Sequence, residues 1–577
     1  MMSRPRRPRV WAVTPADKAR AHAIAESQRV HPAVARILAA RGWAPDAALG
    51  DFLSPLLRQL QNPFALTQMD LAVERSLRAV RSGEKICVYG DYDVDGVSST
   101  ALLVGALRFL GADPMIVIPH RFNDGYGMNA ARVQEIARAG CTLIITVDTG
   151  VTAIEPVRVA KSLGVDVVIT DHHLAAEELP DSVALVNPNR PDSSYPHAPL
   201  CGVGVAFKFS HALLKGSGRS DAECKSFLMD QLDLVALGTV ADVVPLTGEN
   251  RVFVRHGMEA IARSRRPGLR ALLNVAGFAD RPITPHAIGF GLGPRLNAAG
   301  RTNDATLALK LLLTADPREA EFIARQLDEL NRERQDIEKS ILEASLEEVA
   351  APGAAAMPHF LVVGGAGWHL GVVGIVASRL TELFDVPAIV LGIEEDLAKG
   401  SARSVRGFDI HDALSACSSH LVTWGGHAGA AGLKLRVSQL PAFRQAINDH
   451  AEGVMARADR SVRLTVDAEV DASDITWAFY GDLQRLQPFG EGNPQPNLLM
   501  RGVRSVVAPR IVGKNHLKLR LRAGQREFEA IGFGKAELRE LFESSEVDIV
   551  FRAVENNFNG ASRLELELVD GRPAEAC

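Results

Sequence analysis

The sequence predicts an α/β protein in four main parts: a lobe built on a parallel sheet, a long connecting helix, a second α/β lobe and a small C-terminal β-barrel. Three observations predict it. Between residues 85 and 170 short apolar runs alternate with helical stretches, the signature of βαβ units. A single apolar stripe then runs through a charged segment, 317–349. Beyond about residue 460 the pattern changes to short strands. With 577 residues, 47% hydrophobic and 23% charged, the chain can bury several cores and is neither disordered nor a coiled-coil rod.

Residues 1–75 read as a helical lead-in. Strands follow at 85–89, 115–118, 142–147 and 165–170, separated by helices at 97–110, 129–139 and 153–163. Residues 203–313 are mostly helical. The connecting helix has a well-marked start, with Asp316 as N-cap, Pro317 at the first position and Glu319 at the third. Its stripe is Ile323, Leu327, Leu330, Ile337 and Ile341, and it would span roughly 50 Å. The expected divisions are a lead-in at 1–75, a first lobe at 76–315, the helix at 316–352, a second lobe at 353–457 and the barrel at 460–572. Residues 360–378 carry one ionisable side chain, His369, but five glycines interrupt them. They read as strand, loop and helix, not as a membrane span.

Six cysteines (Cys87, Cys141, Cys201, Cys224, Cys417, Cys577) include no Cys-x-x-Cys pair, which excludes a disulfide scaffold and a thiolate zinc site. The basic N-terminus lacks the apolar stretch of a secretory signal. A reduced, cytoplasmic chain with no membrane partner is expected. A net charge of −5 excludes a blanket polycation, so any nucleic-acid binding must use local basic patches.

Each strand end of the first lobe carries an acid or a histidine. Gly90-Asp-Tyr-Asp-Val-Asp-Gly96 follows the first strand, Val147-Asp-Thr-Gly150 another and Thr170-Asp-His-His173 the next. Gly238-Thr-Val-Ala-Asp242 lies further on. In a parallel sheet these ends face one crevice. Carboxylates with imidazoles suit Mn²⁺, Mg²⁺ or Zn²⁺. Two such ions can activate a water and steady both oxygens of a phosphoryl displacement. An isolated buried carboxylate is costly unless paired or metal-bound, so four such segments are hard to explain as helix caps.

These four segments resemble the leading motifs of the DHH phosphoesterase superfamily and, within it, the RecJ family of bacterial single-strand-specific exonucleases. So do Arg121-Phe-Asn-Asp-Gly-Tyr-Gly127, Leu292-Gly-Pro-Arg-Leu-Asn-Ala-Ala-Gly-Arg301, Gly367-Trp-His-Leu-Gly-Val-Val-Gly374, Ser401-Ala-Arg-Ser404, Gly425-Gly-His-Ala-Gly-Ala-Ala-Gly432 and Phe489-Gly-Glu-Gly-Asn-Pro494, in that order along the chain. The resemblance implies a DHH catalytic lobe, a DHH-associated second lobe and two divalent ions, Mn²⁺ or Mg²⁺. It implies Asp91, Asp93, Asp148, His172 and Asp242 as metal ligands, with Asp148 bridging. His173 would lie beside the scissile phosphate or complete the ligand shell. Arg121, Arg301, Ser401 and Arg403 would hold DNA phosphates, including a 5′-terminal one. Many family members place a histidine just before the first aspartate pair. Here Tyr89 stands two residues before Asp91.

His427, amid the glycines of 425–432, marks a segment where backbone can approach an anion, although small residues also serve close helix packing. Between Leu499 and Arg526 lie eight basic residues and no acid, with Lys518, Arg520 and Arg522 on one face of a strand. That strip fits an OB-like barrel tracking a phosphate backbone, with Phe528 and Phe533 as candidate stacking rings. The expected activity is 5′→3′ exonuclease action on single-stranded DNA, releasing 5′-mononucleotides in recombination and repair. A phosphodiesterase for short oligonucleotides or cyclic dinucleotides and an inactive binding scaffold are the alternatives. The resemblance further implies single-strand binding protein and a RecQ-type helicase as partners of a monomeric enzyme.

Overall fold

The computed structural model of the chain describes residues 9–120, 127–197, 199–302, 305–350, 358–456, 463–544, 546–558 and 561–574. In the first lobe five parallel strands lie side by side in the order Met115–Val117, Ile86–Tyr89, Leu143–Val147, Asp166–Thr170 and Ala184–Val186. The central strands are continuous apolar runs because helices cover both faces. Val94–Phe109, Gly202–Gly216 and Asp221–Ala241 pack on one face. Ala130–Arg138 and Ile154–Ser162 pack on the other. Counted in chain order the strands run 2-1-3-4-5, so the winding reverses between Ile86–Tyr89 and Leu143–Val147. At such a reversal the loops after the two strands part, which opens a crevice at their carboxyl ends.

The helix Pro317–Ala350 starts where the sequence predicts, with the Asp316 carboxylate accepting the Arg318 N–H at 2.9 Å. Its 34 residues extend about 51 Å. Ile323 and Leu327 are buried in the first-lobe core. Ile341 is buried with Val363, Val373 and Val390 of the second lobe. Each half of the helix thus belongs to a different core, and the helix sets the spacing of the lobes.

The second lobe has a mixed sheet in the order Thr423–His427, Ala430–Arg436, Leu397–Arg403, Ala388–Glu394 and Leu361–Ala366. Only the last two strands are parallel. Residues 360–378 form the strand Leu361–Ala366, a loop and the start of the helix Leu370–Phe384. No helix among the described residues is long and apolar enough to cross a membrane.

At the C-terminus five strands close into a ring: Leu498–Ser505, His516–Ala523, Arg526–Gly532, Ala561–Pro573 and Val547–Phe558, which returns to Leu498–Ser505. In chain order this ring is 1-2-3-5-4, with strands 3 and 5 parallel. Residues 463–466, expected in the barrel, pair outside its ring although Val466 packs with Leu499 and Val550. Arg463–Val466 pairs in parallel with Val10–Val13. The two helices after Val10–Val13, Lys18–Gln28 and Pro32–Ala40, pack against the barrel, while Phe52 of the third lies under the first-lobe Arg251. Ile24, Val34, Ile37 and Leu38 share one core with Phe479 and the barrel residues Leu519 and Phe551. The apolar residues of these helices thus extend the barrel's core. Arg41 adds an ion pair to Asp467 at 2.8 Å.

Candidate active site

The crevice gathers the acids that the strand ends carry. Asp91 and Asp93 follow Ile86–Tyr89, and Asp93 caps the next helix by accepting the Gly96 N–H at 3.0 Å. Asp148 follows Leu143–Val147. Asp171, His172 and His173 follow Asp166–Thr170. Asp242 ends the helix Asp221–Ala241. His172 Nε2 lies 3.1 Å from Asp148 Oδ1 and 3.7 Å from Asp242 Oδ2. Three overlapping triads result: Asp148 with His172 and His173, Asp95 with His172 and Asp242, and Asp91 with Asp93 and Asp148. Within each, the potential ligand atoms lie within 4.8 Å of one another. The structure therefore brings Asp91, Asp93, Asp148, His172, His173 and Asp242 together.

Local backbone geometry serves this convergence. Asp148 has φ +59°, a left-handed conformation that non-glycine residues seldom adopt. Val243, next to Asp242, has φ +60°, which is rarer still for a β-branched residue. Two glycines let the helices come close: a Cβ on Gly202 would sit 2.4 Å from Asp148 Oδ1, and one on Gly238 2.5 Å from Asp95 Oδ1.

The electrostatics follow from burial and crowding. Burial, then the neighbouring carboxylates Asp95, Asp93 and Asp91, push Asp148 well above the usual range. Burial, then Asp242 and Asp93, do the same to Asp95. Asp242 is pushed up to about 7 by burial and by Asp93. His172 is held down to about 4 by burial and by His173, so its ring is neutral and can act as a ligand. Burial also disfavours the charged form of His173. Its 2.8 Å hydrogen bond to Asp171 and the surrounding carboxylates outweigh that and raise it to about 9.

Asp148 Oδ1 and His172 Nε2 are buried and have no hydrogen-bond partner among the described residues. Buried carboxylates that repel one another and a neutral imidazole with an unused nitrogen fit oxygen- and nitrogen-preferring divalent cations. Tyr89 takes no part in the triads. Its side chain is buried in the opposite core layer, and its hydroxyl donates to Gly127 O at 3.2 Å.

The second lobe meets the first at the helix Gly293–Thr302, which also touches the loop of Asp91 and Asp93, since Asn297 Oδ1 accepts the Val94 N–H at 3.1 Å. Arg301 Nη1 donates to Gly371 O at 3.0 Å, which ties the first lobe to the start of the helix Leu370–Phe384. One turn on, a Cβ at Gly374 would lie 3.1 Å from Arg403 Nη2 and 3.3 Å from Ser401 Oγ. Arg301, Ser401 and Arg403 are thus gathered along a single helix. His427 stands exposed two strands away, and its Nδ1 accepts the Gly429 N–H at 3.2 Å. Arg121 lies outside the described residues.

Three family models match in succession: the DHH family N-terminal domain over 85–239, the DHHA1 domain over 357–453 and the RecJ OB domain over 466–570. The single-stranded-DNA-specific exonuclease RecJ of Bacillus subtilis is 38% identical over 98% of this chain and 71% of its own length. The chain belongs to the RecJ family. The Escherichia coli RecJ is 37% identical over 85% of this chain and 86% of its own length. The Thermus thermophilus RecJ crystal structure with Mn²⁺ superposes with a TM-score of 0.82 at 31% identity. It covers 98% of this chain and 80% of its own length. The Mg²⁺ complex gives 0.77 at 30% identity over 98% and 79%.

Within this RecJ framework the barrel's basic strip differs from the sequence expectation. Lys518 is paired with Glu565, Arg520 with Glu527 at 3.0 Å, and Arg522 with Glu527 at 2.6 Å. Glu527 comes from the adjacent strand Arg526–Gly532 and Glu565 from the strand beyond it, Ala561–Pro573, so the strip is a ladder of ion pairs and not a bare cationic track. Phe528 does not form a stacking platform: it is buried in the barrel core. Phe533 remains 57% exposed.

Three residues escaped the sequence reading. Asp95, taken with its neighbours as part of a loop, also caps another helix, accepting the Gly202 and Val203 N–H groups at 2.6 and 2.8 Å. Asp171 positions His173 while accepting the Val151 N–H at 2.9 Å. Phe290 is 74% exposed on a stretch of π-helix, Ala287–Leu292, stacked on His286 at 4.8 Å. It lines a cleft of about 580 Å³ with Val243, Asn297, Arg301 and Phe489. The π-helix was the available signal, since such bulges recur at functional sites, but nothing in the residue pattern announces one.

Proposed function

We propose that this chain is a 5′→3′ exonuclease specific for single-stranded DNA, releasing 5′-mononucleotides by phosphodiester hydrolysis with two divalent ions, Mn²⁺ or Mg²⁺, in DNA recombination and repair. The observation that carries this reading is the place of Asp148 in two ligand triads, together with the gathering of Arg301, Ser401 and Arg403 along the helix Leu370–Phe384 where the second lobe meets the first. The shared carboxylate is what a two-ion site needs, and the guanidinium and hydroxyl donors suit a phosphate.

When bound, the two cations supply a nucleophilic water at neutral pH and offset charge on the attacking and leaving oxygens. Asp91, Asp93, Asp148, His172 and Asp242 hold them. His173, kept protonated by Asp171, donates from its ring to a phosphoryl oxygen as negative charge develops there. Arg301, Ser401, Arg403 and His427 bind the 5′-terminal phosphate and the nucleotide that leaves. Phe290 stacks on an unpaired base in the cleft beside Asp242, a sequence-tolerant contact that a paired base cannot make. Lys518 and Arg520 exchange carboxylate partners for backbone phosphates further along the strand.

The residue ranges 76–315, 353–457 and 460–572 act as catalytic, DHH-associated and strand-binding domains of a monomer. The enzyme works in the cytoplasm with single-strand binding protein and a RecQ-type helicase.

The test compares 5′-phosphorylated, 5′-blocked and duplex substrates with Mn²⁺, Mg²⁺ or chelator, beside Asp148→Ala. Metal-dependent release of mononucleotides from the 5′ end of single strands is expected, with none from the variant. Full activity of Asp148→Ala would overturn the mechanism. Cleavage of a dinucleotide as fast as of a long strand would favour a short-oligonucleotide phosphodiesterase.

A further inference from the structure

The helix Gly293–Thr302 brings more than Arg301 to the crevice. Gly293, Asn297 and Arg301 follow one another at intervals of four, so they share one face of that helix. All three line the cleft that Phe290 also lines. The same helix is pressed on the loop of the first two expected ligands. A Cβ at Gly300 would sit 2.9 Å from the carbonyl oxygen of Tyr92, the residue between Asp91 and Asp93. Asn297 Oδ1 accepts the N–H of Val94, the residue after Asp93, at 3.1 Å.

That bond fixes which way the amide faces. A backbone N–H can only donate, so the atom that meets Val94 is the oxygen, and Nδ2 with its two hydrogens is turned elsewhere. Nδ2 has no hydrogen-bond partner among the described residues, and Asn297 is only half-buried. Cations that line the cleft opposite are engaged by acids. Arg334 pairs with Glu338 at 2.7 Å, and Arg379 reaches Glu338 at 3.5 Å and Glu382 at 3.3 Å. A neutral amide suits its place beside Asp93. A cation there would repel metal ions, and a carboxylate would repel a phosphate.

The order of groups along the helix names the ligand atom. With the 5′-terminal phosphate at Arg301, Ser401 and Arg403, the next phosphate of the strand is the scissile one, held at the acidic cluster. Asn297 stands about 6 Å along the helix from Arg301 and touches the backbone beside Asp93. Phe290, where an unpaired base stacks, lies further back on the same helical run. Resting on the exonuclease reading, we propose that Asn297 is a further catalytic residue, whose Nδ2 donates a hydrogen bond to a non-bridging oxygen of the scissile phosphate. The bond strengthens as negative charge builds on that oxygen during the displacement.

The test uses Asn297→Ala, which removes both amide atoms, and Asn297→Asp, which keeps an oxygen for the Val94 N–H. Substrates are 5′-phosphorylated single strands with oxygen, or with either phosphorothioate diastereomer, at the first linkage, because sulfur accepts a hydrogen bond poorly. On the all-oxygen strand in Mn²⁺, Asn297→Ala should lower kcat by about 100-fold and leave KM nearly unchanged. For one diastereomer, sulfur should slow the parent about tenfold more than it slows Asn297→Ala, which has no such bond to lose. The rise in melting temperature with Mn²⁺ should be retained in Asn297→Asp. Equal sulfur effects in parent and Asn297→Ala for both diastereomers would overturn the contact. So would parental kcat in Asn297→Asp, recovery of Asn297→Ala at saturating Mn²⁺, or loss of Mn²⁺ stabilisation in Asn297→Asp, since each would leave Asn297 only the support of the metal loop. Failure of the parent to cleave single strands would instead remove the exonuclease reading.

Discussion

Asp242→Asn should stabilise the metal-free protein at pH 8 and leave it unchanged at pH 4. Moving a carboxyl from its ordinary 3.8 to about 7 corresponds to about 4 kcal/mol against the ionised form. The Asp242 side chain is 23% exposed, and its neighbours Asp95 and Asp148 take up protons as well, so about 2 kcal/mol is the expected net gain. The folded protein holds this proton more tightly than the unfolded chain does. Stability therefore falls as pH rises from about 4 to about 7, and the penalty is complete above that. The isosteric amide removes the charge and with it the penalty. For a domain the size of the catalytic lobe, about 2 kcal/mol raises the melting temperature by about 4–8 °C. Thermal unfolding at both pH values, with chelator and with Mn²⁺, is the assay. In the parent, Mn²⁺ should offset the same repulsion, and the variant should gain much less from it. An equal gain for the variant at both pH values, or equal Mn²⁺ stabilisation of both proteins, would refute the assignment of Asp242 to a crowded ligand cluster.

Gly202→Ala should abolish cleavage and Mn²⁺ stabilisation while the circular dichroism spectrum is retained, because the new methyl would lie 2.4 Å from Asp148 Oδ1 and force the carboxylate aside. Phe290→Ala should weaken single-strand binding by about 1–3 kcal/mol, about five- to 150-fold, with an unchanged salt slope in titrations against labelled strands. Asp171→Asn should lower the pKa of His173, so the basic limb of the pH–rate profile moves to lower pH. Arg251→Met should cost about 3–5 kcal/mol in denaturant unfolding. The buried Arg251 guanidinium donates to the carbonyls of Phe52, Arg485, Leu486, Gln487 and Pro488, five groups that a thioether cannot satisfy.

The gathering of Asp91, Asp93, Asp148 and His172 was legible because each follows an apolar run, and parallel strands must bring such ends together; Asp242 arrives instead from the end of a helix. The long helix was legible from its cap and stripe. Other features depend on distant chain segments and leave no local mark. The run at 463–466 has the pattern of a barrel strand, yet its partner lies at Val10–Val13. The window 499–526 lacks acids only because Glu527, Glu529 and Glu565, which neutralise it, belong to other strands. Phe290 looks like a core residue in sequence, and only the packing of its neighbours reveals that it faces outward.

The sharing of one core by the earliest helices and the last strands shapes how this chain is made. Arg41 and its partner Asp467 are 426 residues apart. At about 5–20 residues per second a ribosome needs about 20–90 s to travel between them. Throughout that interval Ile24, Val34, Ile37 and Leu38 have no barrel to close on. The catalytic lobe can form on the emerging chain, but the newly made N-terminal helices stay without their core partners until synthesis of the barrel is finished.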